Sequence, residues 1–341
     1  MAQVVTFGEI MLRLNPPGFQ RFLQADRFEV SYAGAEASVA VSLAKYGVSS
    51  AFVTCLPPNE IGQAAVDYLR RFGVDTSQIL RKGDRIGVFF VETGANQRPS
   101  KVIYDRAHSA VSEVKPGTIP WNDVFSGAKW FHFSGITPAI SQSAAEVCLE
   151  AAKCARDRGV TVSCDLNFRR KLWPQEKARS VMGELLKNVD VLFTNEEEAE
   201  TVFGIKARDS NVRGGALSER GYEDVAIQLQ QRFGLRAVSI SLRESLSATQ
   251  NNWSGMLYDG KRFYTSRRYH MDFIVDRIGG GDAYSSGIIY GMLTGQDPQE
   301  SVEFAAAASC LKHTIHGDFN LVTFDEVLAL MGGDASGRIQ R

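Results

Sequence analysis

Short, almost wholly apolar runs alternate along this chain with longer stretches whose apolar residues recur at helical spacing. Val4-Val5-Thr6-Phe7, Ala51-Phe52-Val53-Thr54-Cys55, Val160-Thr161-Val162-Ser163-Cys164, Asp190-Val191-Leu192-Phe193-Thr194 and Ala237-Val238-Ser239-Ile240 have strand length. Except in Val160–Cys164, their apolar residues do not simply alternate with polar ones, which suits strands buried on both faces. Residues 34–47, about 60–72 and about 141–158 carry helical patterns, the first opened and closed by glycine. This β-α alternation predicts a parallel sheet with helices on both faces, and ligands collecting at the carboxyl ends of its strands. Two segments break the rhythm. Residues 10–32 set Asn15-Pro16-Pro17-Gly18 between short alternating stretches, and residues 86–108 set Gly94-Ala95-Asn96-Gln97-Arg98-Pro99 between two more. Both read as hairpin-like antiparallel excursions from the main body. Residues 206–221 are polar and glycine-containing and predict an exposed loop. Residues 1–331 read as one domain without an internal repeat, and 332–341 as a flexible tail.

Composition narrows the class without naming it. The 341 residues are 44% hydrophobic and 23% charged, with formal net charge −1, so neither nucleic acid nor a membrane surface is an expected partner. Five scattered cysteines lack any C-x-x-C and read as reduced core thiols. The first residues show no signal-peptide pattern and no run approaches bilayer-spanning length, so a cytoplasmic location is expected.

The most distinctive chemistry lies in Asp276-Arg277-Ile278-Gly279-Gly280-Gly281-Asp282, which leads into the apolar helical stretch 288–293. Three glycines at a helix start let backbone N–H groups converge with no Cβ in the way. The unsatisfied first-turn N–H groups and the positive dipole end favour an anion there. A carboxylate beside such a cradle is repelled by a bound phosphate, so Asp282 needs a reason. A general base that takes the proton of a hydroxyl attacking a phosphoryl group supplies one. The alternative is an ordinary helix N-terminus, with Asp282 only a favourable first-turn charge.

Gly-Gly-Gly-Asp after Asp-x-Ile, followed by a small-residue helix, resembles the C-terminal signature of the ribokinase-like (PfkB-type) carbohydrate kinases. Ala33-Gly34-Ala35-Glu36-Ala37-Ser38 resembles their N-terminal signature, with Ala33 in place of a glycine and Ser38 where asparagine is usual. Asn195-x-x-Glu198 matches their N-x-x-E motif, although first-turn acids at a helix start would look the same. The resemblance implies a three-layer α/β/α body whose two excursions form a β-sheet lid that excludes water. It implies Asp282 as base and Gly279, Gly280 and Gly281 as anion hole. Gly34 would contact sugar hydroxyls, while Asn195 and Glu198 would place phosphate and Mg²⁺. Ser241, Arg243 and Ser247 occupy the place of the nucleotide-binding loop. ATP and Mg²⁺ are the implied cofactors, with dependence on a monovalent cation left open.

Arg106 and Arg169 bear on substrate class. Each alone reads as a solvated arginine, but together they could grip a carboxylate. With Gly34, Phe89, Tyr104 and residues 165–173 they look like the 2-keto-3-deoxygluconate kinase branch of the family. That branch would set Gly34, Tyr104, Arg106, Arg169, Asp282 and Asp318 around a sugar acid, with Phe89 where a tyrosine is common. Phosphorylation of the primary hydroxyl to the 6-phosphate is implied, by a homo-oligomer joined through exposed lid sheets. A neutral-sugar kinase and a non-catalytic sugar-acid-binding regulator are the rival readings. His313-x-x-His316 lacks further ligands at metal-binding spacing. No G-x-x-x-x-G-K-[ST] is present, and Tyr284 stands where a dinucleotide fingerprint wants glycine.

Overall fold

A computed structural model describes residues 2–206 and 219–334. The chain opens with β1 (Val4–Phe7), β2 (Met11–Asn15), β3 (Glu29–Ala33), α1 (Ala35–Lys45), β4 (Ser50–Val53), β5 (Cys55–Leu56), α2 (Glu60–Arg70), β6 (Leu80–Arg81), β7 (Gly87–Glu92) and β8 (Lys101–Asp105). There follow α3 (Trp121–Val124), β9 (Trp130–Ser134), α4 (Ile136–Ile140), α5 (Gln142–Asp157), β10 (Thr161–Asp165), α6 (Gln175–Leu185), β11 (Val191–Thr194), α7 (Glu196–Phe203) and α8 (Glu219–Phe233). The last part holds β12 (Ala237–Ser245), β13 (Asn251–Tyr258), β14 (Phe263–Thr265), β15 (Tyr269–Met271), α9 (Gly280–Thr294), α10 (Pro298–Lys312) and α11 (Phe324–Met331).

The main sheet runs β14-β13-β12-β11-β10-β9-β1-β4, with β15 also paired to β13. Successive side chains of a strand point to opposite faces, and here both faces are covered. Val5, Phe131, Val162, Leu192 and Val238 pack with residues of α5 to α8 on one side. Val4, Trp130, Val191, Phe193 and Ala237 pack with residues of α1, α9 and α10 on the other. That two-sided burial is why these strands read as apolar runs, and it builds the expected α/β/α layers. From β4 across to β12 all neighbours are parallel.

Beyond β12 the expectation of a parallel sheet fails. β13, β14 and β15 are antiparallel, because a tight turn closed by Ser247 N–H on the Gln250 carbonyl, 3.1 Å, joins β12 to β13 without a helix. β12 also runs on to Ser245, so Ser241 and Arg243 lie within a strand, opposite Gly255 and Trp253, rather than in the expected loop. The predicted strand over 51–55 breaks at Thr54, where β5 turns aside to pair with β6. Of the predicted loop 206–221, residues 219–221 form the first turn of α8. Residues 207–218 lie outside the described residues, as do 335–341 of the predicted tail.

The two excursions form a second sheet of order β3-β2-β7-β8. β2 pairs antiparallel with β3 and parallel with β7, and β7 antiparallel with β8. This sheet leaves the body just after β1, where the chain goes to β4 on one side and β9 on the other. Such a switch point opens a crevice at the strand ends. Arg13 of β2, 2% exposed, reaches across it to the carboxylates of Asp276 and Asp318.

Candidate active site

Gly279 is the N-cap of helix α9, and its φ of 85° lies in the left-handed region. The Asp318 carbonyl oxygen occupies the place a Cβ would take there, so only glycine fits. Gly280 is pressed in the same way against the His313 ring, whereas Gly281 faces open space. No side chain caps this helix end, so its first turn keeps free donors beside an uncovered approach.

Asp282 sits in that first turn and accepts no hydrogen bond among the described residues. Its residue surface is only partly covered, yet the carboxyl is surrounded densely enough that burial pushes its pKa up to about 8. The charges of Asp318 and Glu36 add to the shift, while Arg169 and Lys312 oppose it. A carboxylate acting as a cap would accept a backbone N–H and be stabilised in its charged form. Asp282 does neither, so the ordinary-terminus alternative has no contact to support it.

Two further acids converge from the sheet ends. Asp165 closes β10, and Glu198 stands in the first turn of α7, where the Asn195 side chain accepts the Glu198 N–H at 2.9 Å as helix cap. Burial pushes Asp165 well above the usual carboxylate range, with the charges of Glu198 and Asp282 adding to it. Burial likewise pushes Glu198 up to about 7, opposed first by Arg169, whose Nη1 lies 3.9 Å from Oε1. Acids that repel one another in low dielectric gain from a cation placed near them, and hard oxygen donors this few in number suit a Mg²⁺ held mainly through water and phosphate oxygens. Asp165 was not singled out from the sequence. Its signal was position alone, an acid directly after a buried strand run.

Between lid and body lies a cavity of about 300 Å³, lined by Val102, Tyr104 and Arg106 from the lid side and by residues 168–172 from the body. Arg169, Arg170 and Lys171 bring three positive charges to it. Arg106 is already engaged, its Nε donating to Glu9 at 2.7 Å while Ser109 Oγ donates to the other Glu9 oxygen at 2.6 Å. Its guanidinium also lies 5.3 Å from the Tyr104 ring centroid, and Tyr104 stacks on the buried Phe89 at 5.8 Å. Arg106 therefore shapes this wall, while Arg169, half-exposed, donates to the Phe168 carbonyl at 3.2 Å and is only loosely paired with Glu198, so its guanidinium still carries charge to the cavity. Gly34, the N-cap of α1, leaves room for the Glu9 carbonyl oxygen, and the Ser38 hydroxyl donates to the Gly34 carbonyl at 2.9 Å.

Asp318 is brought to the cradle, but its side chain is held by Arg13. Of the residues expected at the nucleotide, Arg243 is exposed on β12 and Ser247 lies in the turn beyond it. Arg277, which sequence reasoning passed over, donates to the Ser247 carbonyl at 2.7 Å and to Asn251 Oδ1 at 3.2 Å. Burial and the charge of Arg243 lower its pKa. Two like charges that feel one another favour an anion near them. Among the described residues no cluster of three or more His, Cys, Asp or Glu side chains has metal-binding geometry. His313 is buried against Gly280, its Nδ1 donating to the Ser309 carbonyl at 2.7 Å.

The sequence matches the pfkB family carbohydrate kinase over residues 1–242 and 253–322. The chain belongs to the pfkB family of carbohydrate kinases. It is 34% identical over 335 residues, 98% of each chain, to the 2-dehydro-3-deoxygalactonokinase of Haloferax volcanii. It is 28% identical over 325 residues, 93% of this chain and 90% of the other, to the 2-dehydro-3-deoxygluconokinase of Thermoproteus tenax. The crystal structure of the 2-dehydro-3-deoxygluconokinase of Thermotoga maritima superposes with a TM-score of 0.94 at 49% identity, covering 98% of this chain and 100% of that one. The ribokinase-like fold and the sugar-kinase class are thus settled. No helix of the described residues is long and apolar enough to cross a membrane.

Proposed function

We propose that this kinase transfers the terminal phosphoryl group of ATP to the primary hydroxyl of 2-keto-3-deoxygluconate, giving the 6-phosphate. The observation that carries the substrate class is the cavity between lid and body, where Arg169, Arg170 and Lys171 face Tyr104 and the Glu9-paired Arg106. A neutral sugar has no use for that charge, whereas a carboxylate is held by a forked guanidinium. The names of the three relatives given above, two gluconokinases and one galactonokinase, support a 2-keto-3-deoxy sugar acid.

Asp282 takes the hydroxyl proton as the oxygen attacks the phosphorus and ADP leaves. The free first-turn amides of residues 279–281 bind the equatorial oxygens of the transferred group. Arg243 and Arg277 draw in the nucleotide phosphates, with Ser241 and Ser247 beside them. Glu198, oriented through the Asn195 cap, and Asp165 would hold Mg²⁺, which neutralises phosphate charge when bound. Lid strands close over the sugar and exclude water. Apolar residues exposed on the lid, Leu23, Val30 and Ile103, fit a homo-oligomer, and the enzyme works in the cytoplasm.

An ADP-release assay over 2-keto-3-deoxygluconate, its galactonate epimer, fructose and ribose tests the reading. The two acids are expected to far outpace the neutral sugars. Arg169→Ala should raise KM for the acid about tenfold or more, the size of a lost charged hydrogen bond, with a smaller effect on kcat. Equal efficiency on fructose, or an unchanged KM in the variant, would overturn it.

A further inference from the structure

Lys312 is the last residue of α10 and is fully buried, a place where an uncompensated ammonium is costly. Its Nζ donates to two backbone carbonyls, those of Asp276 at 3.2 Å and Ile315 at 3.3 Å. These carbonyls belong to two loops that meet beneath the phosphate cradle. One, residues 276–279, runs directly into α9. The other, residues 313–318, leaves α10 and brings the Asp318 carbonyl against Gly279. The carboxylates of Asp276 and Asp318 complete the surroundings and are shared with Arg13. Asp276 in turn accepts the N–H groups of Ile278 and Gly317, both at 3.1 Å. The carbonyl end of α10 adds further negative potential. The proposed phosphoryl transfer makes no use of this lysine.

Converging carbonyl oxygens can replace the hydration shell of a monovalent cation. Here the chain supplies the positive charge itself, on a tether. We propose that Lys312 is a built-in cation that clamps the 276–279 and 313–318 loops together, so that the cradle keeps its shape and turnover needs no added monovalent cation. A neutral residue would leave both carbonyls without this donor and the two carboxylates with Arg13 as their charged partner. The loops would then separate, and Gly279 and Gly280, each in contact with the second loop, would move with them. Lys312 is accordingly a positioning residue acting through the cradle amides. A small cation could take over the task once the side chain is shortened.

This inference rests on the cradle being the phosphate site, and the test separates the two. Turnover of the wild-type enzyme and its affinity for MgADP, read by calorimetry, are compared in potassium, sodium and choline salts at equal ionic strength. Both are expected to agree within twofold. Lys312→Ala is expected to lose tenfold or more in kcat/KM for ATP and in MgADP affinity. Potassium or ammonium should restore most of that loss, and choline none of it. Lys312→Met, which fills the space without charge, should be impaired and not rescued. A tenfold loss of wild-type turnover or MgADP affinity in choline overturns the proposal, as does a folded Lys312→Ala that is unimpaired or beyond rescue. The wild-type series decides even if both variants fail to fold. Normal, cation-independent MgADP binding without turnover of any sugar acid would sink the sugar assignment alone.

Discussion

Asp282 combines two properties seldom found together, a first-turn helix position that favours negative charge and a surrounding that raises its pKa to about 8. Burial and the neighbouring acids outweigh the helix dipole, whose effect is about 1 kcal/mol. A base must be deprotonated to act, so kcat/KM is expected to rise with pH toward a plateau near or above pH 8. Glu36→Gln removes one of the charges that raise the pKa and should move that limb to lower pH; a profile flat from pH 6 to 9 would contradict the assignment. Asp282→Asn should lower turnover by about 10²–10⁴-fold, the usual contribution of a general base, while leaving circular dichroism unchanged. Near-normal turnover in that variant would remove the aspartate from the role. The motif made this residue legible in the sequence. Its elevated pKa was not, because Glu36 and Asp318 approach from distant parts of the chain.

Elements hold these residues in place through contacts that glycine and caps make possible. Gly279 has a positive φ and lies against the Asp318 carbonyl. Gly279→Ala therefore meets both backbone strain and a backbone overlap that no rotamer relieves. It is expected to lower the melting temperature by several degrees and reduce kcat more than tenfold. The matching change at Gly281, where a Cβ meets open space, should leave the melting temperature unchanged. Equal destabilisation at both sites in a thermal melt would refute this reading. Asn195 shows how one motif admits two physical meanings. It caps α7 by accepting the Glu198 N–H, and through that cap it fixes where the Glu198 carboxyl stands. The spacing alone could not separate a cap from a phosphate contact. The Ser241 stretch misled for a related reason, since strand and loop differ by a pairing with β13 that local sequence does not encode.

Across the whole molecule, the buried acids set a pH dependence of stability. Asp282, Glu198, Asp165, Glu36 and Asp318 all have raised pKa values with burial as the first cause. The folded state therefore binds more protons than the unfolded one between the ordinary carboxylate range and about pH 8. Stability from these groups is full below the unfolded pKa values and is lost as pH rises through the folded ones. His132 and His313, lowered by burial to about 3 and about 4, act oppositely, but only below the usual histidine pKa of about 6.5. The melting temperature should thus fall from pH 7 to pH 8.5, less steeply in Asp282→Asn, and Mg²⁺ with ADP should recover part of the loss. A melting temperature that rises over this interval would show that the acids are not destabilised when charged. By itself the sequence determined the α/β/α body, the two lid excursions and the cradle with its adjacent acid, because apolar period, turn residues and glycine runs are local features. Only the tertiary structure decided that Arg106 is occupied by Glu9, that Arg13 joins lid to body, that Asp165 belongs with Glu198 and Asp282, and that Lys312 sits under the cradle. Those pairings join residues far apart in the chain, and charge acts through space according to distance and burial, which sequence separation does not report.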